Sequence, residues 1–107
     1  MKLAKRYENG RLTLGLIGEL DHHSAGRAMD SIAREMEEAL PRETILDLSG
    51  LTFMDSSGIA LILKAYKITR AQGGTLALAN PTRQVQRVME TSGIQRIVPT
   101  LESAGKE

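Results

Sequence analysis

The residues best suited to chemistry are the run Asp55-Ser56-Ser57-Gly58, which directly precedes an apolar, helix-forming segment. A serine hydroxyl in such a run can cap the helix, act as a nucleophile or accept a modifying group. Capping suits the acid and one serine, but it does not account for the second serine or for Gly58. Glycine in a helix costs about 1 kcal/mol relative to alanine, and its usual benefit is that another group can approach the backbone.

A nucleophilic serine would need a base and an oxyanion hole. His22 and His23 are the only histidines, and they stand at the start of the first predicted helix. The Gly-x-Ser-x-Gly pattern is absent, and a chain of 107 residues leaves little room for a substrate pocket. Adjacent helical residues diverge by about 100° and the chain has no cysteine, so the histidine pair does not predict a metal site. We therefore expect neither catalysis nor a bound metal.

A modifiable serine would need an exposed hydroxyl at a place where added charge changes a surface. Phosphorylation adds about −1.5 to −2 charges and three strong acceptors. The first turn of a helix tolerates an anion, because its backbone N–H groups are unpaired and carry partial positive charge. A phosphate there would leave the fold intact and disturb a protein that docks on it.

The composition is that of a single globular domain. The 107 residues are 41% hydrophobic and 25% charged, with 3% aromatic residues, so we expect an aliphatic core. A net charge of +1 gives no electrostatic reason to expect nucleic acid or a membrane surface as a partner. No apolar run approaches the roughly 20 residues that cross a bilayer, and the first ten residues do not resemble a signal peptide. We expect a cytoplasmic protein.

The apolar periodicity and the turn residues predict the element order β-β-α-β-α-β-α-β. Asn9-Gly10 predicts a tight hairpin between two antiparallel strands. The predicted strands are Leu3–Tyr7, Arg11–Gly18, a buried strand around Ile45–Leu48, Thr75–Asn80 and Ile94–Pro99, followed by a polar tail.

Three helices are predicted between these strands. The first carries Ala28, Ile32, Met36 and Ala39 on one face and ends at Pro41. The second follows the double serine and stops at Gly73-Gly74. The third has Pro81 in its first turn, runs through Met89 and is capped by Gly93. Strands that alternate with helices predict an α/β fold with a mostly parallel sheet, whose functional edge lies where strands end and helices begin.

Three stretches of the chain resemble one family of bacterial regulators. They are GELDHHSA (residues 18–25), LDLSGLTFMDSSGIALILKAYK (46–67) and SGIQRIV (92–98). In them the chain resembles the anti-sigma factor antagonists, which are STAS domains, and above all the sporulation antagonists of the sigma-F type. The resemblance implies one domain over residues 1–107, with a mixed, mostly parallel sheet of four to five strands flanked by helices. That family usually ends in a fourth helix, which the short polar tail of this chain leaves in doubt.

The resemblance also implies a function and its site residues. The unphosphorylated antagonist binds an anti-sigma factor that is also a serine kinase, and so releases the sigma factor. The kinase, which holds the ATP, phosphorylates the second serine of the motif, here Ser57, and a serine phosphatase reverses the step. By position the partner surface would comprise Asp21, Asp55, Ser56, Ser57 and Gly58. Ser56 would help to cap the helix or shape the loop, and Asp55 would orient the serine hydroxyl or meet the kinase active site.

Other STAS systems are an alternative. A general stress-response antagonist, a stressosome scaffold or a subunit that works with a transporter would carry the same motif. The residues themselves do not separate these partners.

Overall fold

The computed structural model describes residues 1–101, which form a five-stranded sheet and three α-helices in the predicted order. The elements are β1 (Lys2–Glu8), β2 (Arg11–Leu20), α1 (Ala25–Ala39), β3 (Glu43–Met54), α2 (Ser56–Ala71), β4 (Thr75–Ala79), α3 (Arg83–Ser92), a short 3-10 helix (Ile94–Arg96) and β5 (Thr100–Leu101). The question of a fourth helix falls on residues 102–107, outside the described part of the chain.

The sheet is mixed and mostly parallel, as predicted. Its strands lie in sequence order, β1 pairs antiparallel with β2, and the other three pairs are parallel. Asn9 and Gly10 both have positive φ angles, 54° and 82°, as a two-residue hairpin turn requires. The β-β-α-β-α-β-α-β order and the α/β class are therefore confirmed.

The core is aliphatic and lies between one face of the sheet and the helices. Helix α2 packs between α1 and α3, so all three helices lie on the same side of the sheet. Alternate residues of the three central strands point into this core at period two. They are Leu12, Leu14 and Leu16 of β2, Leu46 and Leu48 of β3, and Leu76 and Leu78 of β4.

The predicted C-terminal ends of the helices are correct, whereas α1 and α3 begin later than predicted. Gly73 adopts a left-handed conformation after α2, and the Gly74 N–H donates to the Thr69 carbonyl at 2.8 Å. Gly93 ends α3 in the same way. However, α3 begins at Arg83 and its N-cap is Thr82, so Pro81 lies before the helix rather than in its first turn.

The prediction of a strand over Ile94–Pro99 is wrong. This stretch begins as a 3-10 helix, and the strand that pairs with β4 is Thr100–Leu101. Ile94 and Val98 are buried while Ile97 is exposed, which is a helical spacing of apolar residues rather than an alternating one. The Val98 N–H correspondingly donates to the Ile94 carbonyl at 2.9 Å.

Strand β3 is longer than its apolar run predicted, and this brings the motif to the edge of the sheet. It continues past Gly50 to Met54, because register shifts in its pairing with β2 keep the two strands together up to the pair Leu20–Met54. None of the helices in residues 1–101 has the length and apolar character to cross a bilayer.

Candidate functional site

Asp21 and Asp55 lie side by side at the edge of the sheet where β2 and β3 end. Leu20 and Met54 are paired in the ladder, and the Asp55 N–H continues it by donating to the Leu20 carbonyl at 3.2 Å. Each acid is the first residue after its strand. The structure therefore brings Asp21 together with the segment Asp55–Gly58, which we call the DSSG loop.

Asp55 is the N-cap of α2. Its backbone is extended, and its carboxylate accepts from the Ser57 N–H at 2.8 Å while its carbonyl accepts from the Gly58 N–H at 2.9 Å. The expectation that Ser56 shares the capping is wrong within residues 1–101, where its side chain makes no such bond. The carboxylate of Asp55 bonds the backbone of Ser57 and not its hydroxyl, so Asp55 positions Ser57 through the main chain.

The two serines differ in exposure. Ser56 is exposed, and Ser57 is partly buried in the first turn of α2. Among residues 1–101 no side chain engages either hydroxyl. Both hydroxyls are thus open to chemistry at the N-terminus of α2, and Ser57 is the one whose backbone is fixed by the cap.

We call the edge of the sheet formed by Asp21, Asp55, Ser56 and Ser57 the rim. Gly58 packs against the core beneath it. It is buried, and a Cβ atom at this position would collide with the side chain of Met54 and lie 3.1 Å from a methyl group of Leu20. The absence of a side chain allows the first turn of α2 to approach the ends of β2 and β3. Close packing within the domain therefore requires a glycine at this position, and the place of Gly58 in a partner surface stays a prediction.

Asp21 organises the turn that leads into α1. Its carboxylate accepts from the backbone N–H groups of His23 at 3.0 Å and Ser24 at 3.1 Å, and the Ser24 hydroxyl donates to the Glu19 carbonyl at 2.8 Å. Partial desolvation raises the pKa of Asp21, but the hydrogen bonds from Ser24 and His23 together outweigh it, so the pKa lies below its usual value. An ionised carboxylate is therefore built into the rim.

His22 and His23 lie in this turn, before α1 rather than in it. Both are exposed, and their rings are in contact, tilted by 38° with centroids 3.9 Å apart. Residues 1–101 contain no group of three or more potential metal ligands. The pair is best described as a solvated packing contact at the entry to α1.

Gln84 contacts the site, although no pattern in the sequence distinguishes it from other surface glutamines. Its side-chain amide makes two hydrogen bonds with the backbone of Met54: it accepts from the N–H at 2.9 Å and donates to the carbonyl at 2.8 Å. Met54 immediately precedes the DSSG loop. A glutamine near the start of a helix is common on sequence grounds, and only the tertiary arrangement shows what it holds.

An apolar groove between α2 and α3 begins beside the DSSG loop. It has a volume of about 580 Å³ and starts at Ser56. We call it the α2–α3 groove; its other lining residues are Ile59, Ala60, Leu63, Arg87, Val88, Thr91 and Ser92. Ile59, Leu63 and Val88 pack on the core and remain partly exposed. The spacing of Ile59 and Leu63 by four residues indicates an apolar face of α2, but the groove itself depends on where α3 packs.

Comparison with known proteins agrees with this architecture. The STAS domain model matches residues 2–106. An anti-sigma F factor antagonist of Paenibacillus polymyxa is 34% identical over 107 aligned residues, which cover 96% of this chain and 88% of the relative.

Two solved structures of the antagonist SpoIIAA are similar in fold. The unphosphorylated form has a TM-score of 0.81 and 25% identity, and the match covers 98% of this chain and 90% of the other. The phosphorylated form, described as a Bacillus cell fate determinant, has a TM-score of 0.72 and 24% identity, with 98% and 94% covered. The matches over nearly the full length, in sequence and in fold, show that the chain belongs to the STAS domain family, among its anti-sigma factor antagonists.

Proposed function

We propose that the unphosphorylated chain binds an anti-sigma factor and thereby releases a sigma factor. The anti-sigma factor is also a serine kinase, holds the ATP, and phosphorylates Ser57 of this chain, which ends the interaction. A serine phosphatase restores the binding form. The chain is a binding module without catalytic activity, works in the cytoplasm and contacts neither nucleic acid nor membrane directly.

The observation that carries this proposal is the way the DSSG loop presents Ser57. Asp55 fixes the backbone of Ser57 through a 2.8 Å hydrogen bond, while the hydroxyl remains available at the start of a helix. A kinase needs its acceptor hydroxyl held in position, because catalysis of phosphoryl transfer is mainly positioning and electrostatic stabilisation. The cap supplies that position before any partner binds.

The charges of the rim explain how one phosphate would change partner binding. Asp21 and Asp55 already place two carboxylates at the ends of β2 and β3. A phosphate on Ser57 adds about −1.5 to −2 charges beside them. The helix N-terminus offsets part of this repulsion within the domain, whereas a partner surface that complements the unmodified rim gains an uncompensated repulsion on docking.

The α2–α3 groove continues the surface that begins at the DSSG loop. Ser56 belongs to both, so a protein that reaches Ser57 also reaches Ile59 and Val88. Arg87 lines the groove and is in neither of the two ion pairs seen within residues 1–101. We propose that the anti-sigma factor covers this groove with an apolar segment and offers a carboxylate to Arg87.

The test is incubation with the anti-sigma factor of the same organism and ATP, followed by mass spectrometry of the intact chain. We expect a mass increase of one phosphate, retained in Ser56→Ala and lost in Ser57→Ala. Label that persists in Ser57→Ala and disappears in Ser56→Ala would overturn the site assignment. Absence of both label and complex formation with the wild-type chain would overturn the proposed partner.

A further inference from the structure

We propose that Gln84 is a positioning residue for phosphorylation: its amide holds Met54, and through Met54 it sets the place of Ser57. This inference rests on the proposed function for its kinase readout. Gln84 contacts no reacting atom; it acts through the backbone that leads into the DSSG loop. Its side chain is partly buried and lies in the first turn of α3.

The side chain of Gln84 occupies the place of a neighbouring strand beside the end of β3. Strand β4 pairs with β3 as far as Asp47 and Ala79 and then ends, while β3 continues to Met54. The N–H and carbonyl groups of Met54 face away from β2, because backbone groups of successive strand residues alternate in direction and the next N–H, that of Asp55, bonds to Leu20. The Gln84 amide supplies the donor and the acceptor that a neighbouring strand would have supplied.

The end of β3 is consequently held from both sides. Leu20 of β2 accepts from Asp55, and Gln84 of α3 bonds both polar backbone groups of Met54. Only Asp55 and Ser56 separate Met54 from Ser57, and the cap connects Asp55 to Ser57 directly. A displacement of Met54 should therefore also displace Ser57, because no flexible segment lies between them.

The same helix that holds the loop also lines the α2–α3 groove. Val88, which lines the groove, follows Gln84 by four residues and so lies on the same side of α3. Helix α3 thus contacts the partner that occupies the groove and, through Gln84 and Met54, also positions the serine that the partner modifies. We call the two hydrogen bonds between Gln84 and Met54 the Gln84 clamp. Loss of this clamp should make the position of Ser57 relative to the groove less fixed, while the docking surface remains.

A positioning role for Gln84 should affect kcat for Ser57 phosphorylation and leave KM nearly unchanged. In Gln84→Met, which keeps the length of the side chain and removes both hydrogen bonds, we expect kcat for Ser57 phosphorylation to fall about tenfold with KM changed less than about twofold. Gln86→Met is the matched control, because within residues 1–101 the Gln86 amide bonds only to Glu90 on the same helix, at 3.2 Å. The control should retain the wild-type kcat.

A second variant supplies a readout that does not use the kinase. In Gln84→Glu the carboxylate can accept from the Met54 N–H but faces the Met54 carbonyl without a proton to donate, so its folded pKa should be raised. The protonated acid restores both hydrogen bonds. We therefore expect the stability deficit of Gln84→Glu relative to wild type to be present near pH 7 and to shrink as the pH falls toward about 4.3, the ordinary value for glutamate.

The outcomes distinguish the two proposals. If wild type is phosphorylated on Ser57 and Gln84→Met keeps the wild-type kcat, the positioning role is overturned while the proposed function stands. If Gln84→Met raises KM alone, Gln84 belongs to the docking surface and the positioning role is again overturned. If wild type is not phosphorylated, the proposed function fails, and the pH-dependent recovery of Gln84→Glu, or its absence, then decides whether the clamp holds Met54.

Discussion

Gly58 is the residue of the motif whose chemical identity the packing dictates most directly. An added methyl group would meet the buried side chain of Met54 and approach Leu20 to 3.1 Å. We expect overpacking in Gly58→Ala to lower the free energy of unfolding by about 1–3 kcal/mol. The higher helix propensity of alanine offsets up to about 1 kcal/mol of this loss. Urea denaturation followed by circular dichroism measures the difference.

Gly26 provides the matched control for this prediction. It is also a helical glycine, in α1, but a Cβ atom there would meet nothing within 4 Å. Gly26→Ala should therefore stabilise the domain by as much as about 1 kcal/mol. Equal effects of the two substitutions, in either direction, would contradict the close-packing role assigned to Gly58.

Asp21 predicts a pH dependence of stability. Its folded pKa lies below its ordinary value because the hydrogen bonds from Ser24 and His23 favour the ionised form over the desolvation that opposes it. A lowered folded pKa means that the stabilisation is present above the unfolded pKa of about 3.9 and is lost as the pH falls through the folded value.

The substitution Asp21→Asn removes this titration while keeping an oxygen acceptor in the turn. We expect the difference in unfolding free energy between wild type and Asp21→Asn to be greatest near neutral pH and to diminish as the pH falls below about 4. Thermal melts at a series of pH values provide the measurement. A difference that grows on acidification would show that the ionised form is not the stabilising one.

At the scale of elements, the packing of α2 against α3 creates a surface that neither helix has alone. Ala60 is an exposed residue of the α2–α3 groove, and Val88 lies opposite it on α3. We expect Val88→Glu and Ala60→Glu each to weaken binding of the anti-sigma factor at least about tenfold, roughly 1.4 kcal/mol, because a carboxylate would be buried in an apolar contact. Isothermal titration calorimetry with the unphosphorylated chain measures the affinity.

The control for the groove is Leu40→Glu. Leu40 is 67% exposed at the end of α1, close to the start of β3 and so at the opposite end of that strand from the DSSG loop. It also exchanges an exposed apolar side chain for an acid. Binding reduced equally by Leu40→Glu and Ala60→Glu would point to an effect of net charge and would contradict a local docking surface.

The elements that the sequence predicted well are those whose signals are local. Asn9-Gly10 determines its own turn geometry, and Gly73 ends α2 wherever that helix packs. The prediction of a strand over Ile94–Pro99 was wrong because two apolar residues four apart fit a helical turn as well as a buried strand. The Gln84 clamp depends on β4 ending before β3 does, and no local pattern records the relative lengths of two strands that are distant in the chain.

At the scale of the whole molecule, the phosphate must act locally. The chain carries a net charge of +1, so a group of about −2 reverses the sign of its total charge. Charges separated by more than about 8 Å are nonetheless largely screened at physiological ionic strength. A change in total charge therefore matters less to a partner than the third negative group placed beside Asp21 and Asp55.

This locality predicts that fold and binding respond separately to a charge on Ser57. In Ser57→Asp the new carboxylate lies in the first turn of α2, where the helix favours it and Asp55 repels it, so we expect unfolding free energy to change by less than about 0.5 kcal/mol. Affinity for the anti-sigma factor should fall at least about tenfold, and the deficit should shrink with added salt. Ser57→Asn, equal in size and uncharged, should retain more of the binding. If the asparagine variant binds as weakly as the aspartate variant at every salt concentration, shape rather than charge controls the interface; if the aspartate variant unfolds readily, the site cannot serve as a switch that leaves the domain intact.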